Sequence, residues 1–353
     1  MSNYIISIII AFLIFSIVII FHELGHFWLA KANGIRVNEF CLGFGPALLK
    51  FQKGETQYSI RLLPFGGACM MEGEDEESED NRAFCKKSVW ARMSVVFAGP
   101  LFNFIMAFVF AFILISCIGI DKPVLTGVGE GTAAEEAGLQ EGDEIVKINQ
   151  TSIHFARELN NYSMFHAKKM QEPVTITYVR DGEKNTLELT PRKDADSGKY
   201  LMGIAYSVQL REKGNILHNL KYSVYEVRYW IYSTIESLKL LVTGQLSFND
   251  LSGPVGIVKN MGDTYQKSVS TDGLGYAALN MLNWAVLLAA NLGVMNLLPF
   301  PALDGGRLVF LLIEAIRRKK VNQNVEAYVN MIGMGLLFLL MFVVMFNDIR
   351  KLF

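Results

Sequence analysis

The chain has 353 residues, of which 51% are hydrophobic and only 19% charged, and its formal net charge is −1. With a mean hydropathy of +0.28, that balance argues against an ordinary soluble domain and for a chain that crosses a membrane several times. So small a net charge argues against a nucleic-acid partner, and Cys41, Cys69, Cys85 and Cys117 have no CxxC or zinc-ribbon spacing, so they read as unpaired apolar or loop residues.

The first uncharged run covers 4–30 and holds His22-Glu23-Leu24-Gly25-His26 near its end. On a helix, residues i and i+4 share a face about one turn apart. Two neutral imidazoles can then share one Zn²⁺ while Glu23, one position along, reaches a water beside it as general base. Ionisable side chains at membrane depth cost roughly 2.5–3.5 kcal/mol each on insertion scales and are functional by default. Three of them within five residues make a purely structural set of interhelical hydrogen bonds the weaker reading. The placement points to peptide-bond hydrolysis within the bilayer. No basic leader or A-x-A site precedes the run, so it reads as a span and not as a cleaved signal peptide.

Residues 31–92 are too apolar for a plain loop. Arg36–Phe40 and Tyr58–Leu63 read as strands of a membrane-associated β-hairpin region, with Gly43, Gly45, Pro46 and Gly54 as turn residues between them. Leu63-Pro64-Phe65-Gly66-Gly67 follows, and the acidic run from Glu72 to Asp80 reads as a solvated flexible loop.

A second span covers 93–120. Residues 121–208 are a composition break, charged and glycine-rich. Strands are expected at Val124–Val128, Glu144–Asn149, Val174–Arg180 and Thr186–Thr190, helices at Ala133–Ala137 and Ala156–Phe165, and a hairpin turn at Asp181-Gly182. The stretch from Gly131 through Ala137-Gly138-Leu139 and Gly142-Asp143 to Asn149 resembles a PDZ domain. Such domains take an extended peptide or a C-terminus by strand addition, and a degenerate one can serve as a steric filter.

Residues 209–272 carry Tyr222, Tyr225, Tyr229 and Tyr232 at helical spacing, which suits an amphipathic helix on the membrane or on the preceding domain. Leu251-Ser252-Gly253-Pro254-Val255-Gly256 reads as a turn into the third span, 273–306. A helix or loop, 307–327, leads to the fourth span, 328–348. Lys31, Arg36, Lys86, Lys87 and Arg92 after the first span, and Arg317, Arg318, Lys319 and Lys320 before the fourth, put both connections on the cytoplasmic side. Both termini are then extracytoplasmic, and His22 and His26 lie in the cytoplasmic half of their span.

A catalytic zinc needs a third protein ligand. His154, His166 and His218 fall in or just after the outer domain and read as ordinary surface or core histidines. Asp304 follows an uncharged run of about thirty residues and sits in Asn296-Leu297-Leu298-Pro299-Phe300-Pro301-Ala302-Leu303-Asp304-Gly305-Gly306. Two prolines break the helix, and non-helical backbone at membrane depth is tolerated where it is buried in protein or lines a cavity. The competing role for Asp304 is to cap a helix that begins near Gly305.

With Gly99-Pro100-Leu101-Phe102-Asn103, the His22–His26 motif, the Leu251–Gly256 segment and the Asn296–Gly306 segment together resemble the site-2 protease family of intramembrane zinc metalloproteases, in its bacterial PDZ-containing branch. The resemblance covers nearly the whole chain. It implies a polytopic α-helical membrane protein with four transmembrane helices and an inserted α+β PDZ domain. It also implies Zn²⁺ on His22, His26 and Asp304, Glu23 as general base, and substrate contacts at Asn296, Asn103, Gly66 and Gly67. The implied partners are the lipid bilayer and single-span membrane proteins, such as trimmed anti-sigma factors or remnant signal peptides. Two departures stand out: one PDZ domain where some relatives have two, and Ala68-Cys69-Met70 where the family often has Tyr-Val-Lys. A non-cleaving zinc-binding membrane scaffold is the alternative. A transporter would use intramembrane His and Asp as an ion relay, but the sequence has no inverted repeat to support one.

Overall fold

The computed structural model describes residues 2–74, 76, 78–195, 198–246 and 252–351. Helix α1 (Ser2–Ala32) leads into strands β1 (Val37–Lys53) and β2 (Thr56–Met71) and then helix α2 (Val89–Ile118). Strand β3 (Leu125–Val128), the single turn α3 (Ala133–Glu136), β4 (Glu144–Ile148), β5 (Thr151–Ser152) and helix α4 (Ala156–Phe165) follow. Then come β6 (Val174–Arg180), β7 (Glu183–Leu189), β8 (Arg192–Lys193), β9 (Tyr200–Leu201) and β10 (Ile204–Tyr206). Five helices complete the chain: α5 (Ile216–Val242), α6 (Pro254–Thr271), α7 (Gly273–Asn296), α8 (Asp304–Arg317) and α9 (Gln323–Arg350). Two compact units result, Met1–Ala111 with Leu246–Phe353, and Phe112–Gln245.

In the first unit, α1, α2, α7 and α9 are long and apolar enough to cross a membrane. The shortest, α7, has 24 residues, about 36 Å of helix, enough for a hydrocarbon core of about 30 Å. These helices fall on the four uncharged runs. The two short strands expected between the first two spans are longer and more involved. Phe40 pairs with both Cys69 and Tyr58, and Cys41 with both Ala68 and Ser59. The first half of β1 therefore lies between the two halves of β2, and its second half pairs outside them. Gly43 and Gly45, both at φ +89°, and Pro46 sit where β1 changes partner, so they bend a strand instead of separating two. The bent sheet exposes Phe44, Leu48, Leu49, Phe51 and Leu62, an apolar surface suited to lipid. Its inner side joins the core of Ile35, Val37, Cys69, Phe84, Val95 and Leu311.

The acidic run is pinned where it is described; Asp75 and Glu77 lie outside the described residues. Glu72 accepts from Asn38 (2.8 Å) and Ser78 (2.6 Å), Glu74 pairs with Arg307 on α8, and Asp80 lies 3.6 Å from Arg36. The expected free loop is thus a strap, because its carboxylates find cationic and polar partners on neighbouring elements. A second correction concerns the segment after Gly253, expected as a turn. It is the 18-residue helix α6, with Pro254 in the first turn, where a missing N–H costs nothing. The buried Asp348 of α9 accepts from Gly253 N (3.0 Å) and Gly256 N (2.8 Å), placing a carboxylate on that helix start. Leu251, the first residue of the motif, lies outside the described residues.

In the second unit, β5-β4-β6-β7 form one sheet and β10 pairs with β3. Asp181 (φ +52°) and Gly182 (φ +83°) make the expected tight turn between β6 and β7. The tyrosine stripe of α5 is packing. Tyr222 and Tyr229 meet the edge of buried Phe155, and Tyr229 accepts from Asn161 at 2.8 Å. Arg157 lies between Asp121 and Glu226. Burial pushes the Glu226 carboxyl up from its ordinary range while Arg157 pulls it down. His154, His166 and His218 pack against tyrosines in this unit, as ordinary structural histidines do.

Candidate metal centre

His22 and His26 lie one turn apart on α1, their rings edge to face with centroids 4.8 Å apart. Asp304 approaches from the start of α8, its Oδ2 3.1 Å from His22 Nε2 and 3.5 Å from His26 Nε2. The three ligand atoms lie within 4.8 Å of one another. Asp304 Oδ2 is buried against the two imidazole nitrogens, and such a cluster of lone pairs costs free energy unless a proton or a cation lies between them. Two imidazole nitrogens and one carboxylate oxygen are also the donor set of a catalytic zinc with one position left open. On both counts the residues fit the metal.

Asp304 is not a helix cap. The N-cap of α8 is Leu303, and no side chain caps the helix. The loop after α7 turns back sharply, with Phe300 N donating to Leu298 O, Leu303 N to Phe300 O, and Ala302 held at φ +71° by a hydrogen bond from its N to Asn330. A left-handed alanine costs of order 1–2 kcal/mol, a strain carried here beside the site. Gly305 and Gly306 allow the turn, because a Cβ on either would overlap the carbonyls of Leu297, Leu298 and Phe300.

Other glycines make the close approach of α1 and α2 possible. A Cβ at Gly25 would stand 2.7 Å from Ala98 C, and one at Gly99 would stand 2.7 Å from His22 Cε1 and overlap His26 Nε2. Gly99→Ala is therefore expected to lower zinc occupancy severalfold in the purified protein while the helices still form, since alanine is the better helix former. Wild-type zinc content in that variant would contradict the steric argument.

The sequence-derived substrate residues separate into two groups. Asn296, the last residue of α7, has Nδ2 3.4 Å from His22 Nε2. The Gly66-Gly67 turn brings the edge of the sheet past α1, and a Cβ at Gly67 would lie 3.0 Å from Glu23 Cγ. Among the described residues no further strand pairs with Gly67–Met71 on its outer side. Asn103, by contrast, is fully buried behind His22, with Nδ2 3.1 Å from Nδ1. Glu74 and Arg307 pair close by and were not singled out in the sequence. The only signal was an unpaired-looking acid in the run after the hairpin, and its partner lies 233 residues away.

Residues 10–340 match the model of peptidase family M50. A protein of Clostridium acetobutylicum is 39% identical, with 97% of each chain covered. The zinc metalloprotease RasP of Bacillus licheniformis is 35% identical over 98% of this chain and 99% of its own. The regulator of sigma-W protease RasP of Bacillus subtilis is 33% identical over 99% of each. The two RasP alignments run over 429 and 432 positions, more than the 353 residues of this chain, so those relatives contain a stretch that it lacks. Among solved structures, the PDZ domain of an SdrC-like protein of Listeria monocytogenes is 22% identical, covers 24% of this chain and 84% of its own, and has a TM-score of 0.21.

Proposed function

The chain belongs to peptidase family M50 and is a multi-pass zinc metallopeptidase, and on that premise we propose that it cleaves peptide bonds within the transmembrane segments of single-span proteins. The observation that carries this reading is the convergence of His22, His26 and Asp304 on one point among helices apolar enough to span a membrane. The name of the Bacillus subtilis relative ties that protein to sigma-W, which supports membrane-bound regulators of sigma factors as the substrate class here; trimmed anti-sigma factors are the form the family resemblance implies. Remnant signal peptides share the same chemistry. The Lys and Arg distribution supports a cytoplasmic-side active site with both termini outside.

The zinc supplies two things when bound: it lowers the pKa of a water and polarises the scissile carbonyl. Glu23, on the same helix as both histidines and beside Gly67, takes the water's proton and returns it to the leaving amine. A helical substrate hides its carbonyls in hydrogen bonds and has to unwind first. The free edge Gly67–Met71 pairs with the unwound strand, which holds it extended past Glu23. Gly66, at φ +82° with the Phe44 ring where a Cβ would stand, shapes the turn into that edge. Asn296 donates its amide to the substrate backbone.

The test is disulfide crosslinking. In a chain whose four native cysteines are replaced, single cysteines at 67–71 are paired with cysteines along a model single-span substrate. Adducts at alternate positions are expected, following the two-residue period of a strand. The absence of adducts at all five positions would sink the edge-strand reading.

A further inference from the structure

Val95, Gly99 and Asn103 are spaced four apart on α2 and form one stripe along its face. Each meets the histidines of α1. Val95 O lies 2.9 Å from His26 Nδ1, Gly99 leaves room for both rings, and Asn103 lies against His22 Nδ1. A carbonyl only accepts, so Val95 requires the proton of His26 to sit on Nδ1. That leaves the Nε2 lone pair facing Asp304.

His22 has the same disposition but a partner that can act either way. With the amide nitrogen of Asn103 facing Nδ1, the ring has to accept there, and its proton then falls on Nε2, inside the triangle of ligand atoms. Asn103 Oδ1 is meanwhile buried with no partner, an omission that costs about 1–3 kcal/mol. An amide's oxygen and nitrogen occupy nearly the same shape. Turned over, Oδ1 accepts from Nδ1–H and Nδ2 takes the place without a partner, so the amide's own count is unchanged; what changes is that His22 Nε2 is freed to match His26.

We propose that Asn103 is a positioning residue, its Oδ1 holding His22 in the Nδ1–H form so that α2 sets the tautomer of both histidines. This rests on the reading of His22, His26 and Asp304 as the zinc ligands. A His–metal ligand whose other nitrogen donates to a fixed acceptor is a recurrent arrangement, and losing that acceptor weakens metal binding.

The experiment measures zinc affinity by chelator competition for purified wild type, His22→Ala, Asn103→Leu and Asn103→Asp, with thermal unfolding to check each fold. Asn103→Leu is expected to bind zinc about 10–100-fold more weakly than wild type, whereas Asn103→Asp, which keeps an acceptor, stays within about threefold or binds tighter. Nitrogen-15 NMR of labelled histidine in the zinc-loaded wild type should show His22 Nδ1 protonated, a readout that does not depend on any variant folding. A folded Asn103→Leu with wild-type affinity, or an unprotonated Nδ1, overturns the proposal. Unchanged zinc binding in His22→Ala overturns the ligand reading beneath it, and the two failures are told apart by that arm.

Discussion

Glu23→Gln should reduce cleavage of a single-span substrate by about 10²–10⁴-fold, the usual contribution of a positioned general base, while zinc stays bound. The amide has nearly the shape of the carboxylate but cannot take a proton from water. Glu23 is not one of the three converging ligand atoms, so its loss should leave zinc content unchanged. It is half-buried on α1 between the two histidines, close to the backbone at Gly67. The measurement is the ratio of cut to uncut substrate in proteoliposomes, with zinc per chain determined on the same sample. Cleavage at the wild-type rate with zinc intact would remove Glu23 from the mechanism. A parallel loss of zinc would make it a ligand.

Asp304→Ala should cost more than about 100-fold in zinc affinity, because even partners that only orient a ligand cost 10–100-fold. Activity should fall with it. The change tests function more than folding. Asp304 does not cap α8, and the groups that face its Oδ2 are the two imidazoles of the site. Helix α8 is held independently, by the buried Leu311 in the core with α2 and by the Arg92–Glu314 pair. The apo variant should therefore unfold at the temperature of apo wild type. If that temperature matches and zinc remains stoichiometric, another group is the third ligand. Asp304→Asn separates charge from shape: it should retain the fold, and it too should lose zinc, because a neutral amide oxygen is a weaker ligand than a carboxylate.

Much of this was legible in the chain, and for identifiable reasons. The four spans follow from runs of apolar residues long enough to cross lipid, and hydropathy is a property of composition. The β6 and α4 segments fall at Val174–Arg180 and Ala156–Phe165, where alternation and helical spacing put them. His22 and His26 share a face because they are four apart. Helix α6 was not legible. Its glycines and β-branched residues make it a poor helix former, and it is held by α1, α7 and the Asp348 carboxylate on its start. The double pairing of β1 was equally hidden, since a period of two says which face a residue takes but not how many neighbours a strand has.

An apolar helix that carries His-Glu-x-x-His, and a proline-broken segment that carries one aspartate far along the chain, can be read from the residues alone. Local periodicity and the cost of charge in lipid are enough for that. The approach of Asp304 to within 3.1 Å of His22, the strand edge beside Glu23 and the place of Asn103 behind His22 instead of on an open surface come from packing between elements far apart in the chain. Those outcomes depend on how closely two backbones approach. Glycines at 25, 99, 305 and 306 permit that approach, but what fills the space each lacking side chain leaves is set by the neighbouring element and not by the glycine's own surroundings in sequence.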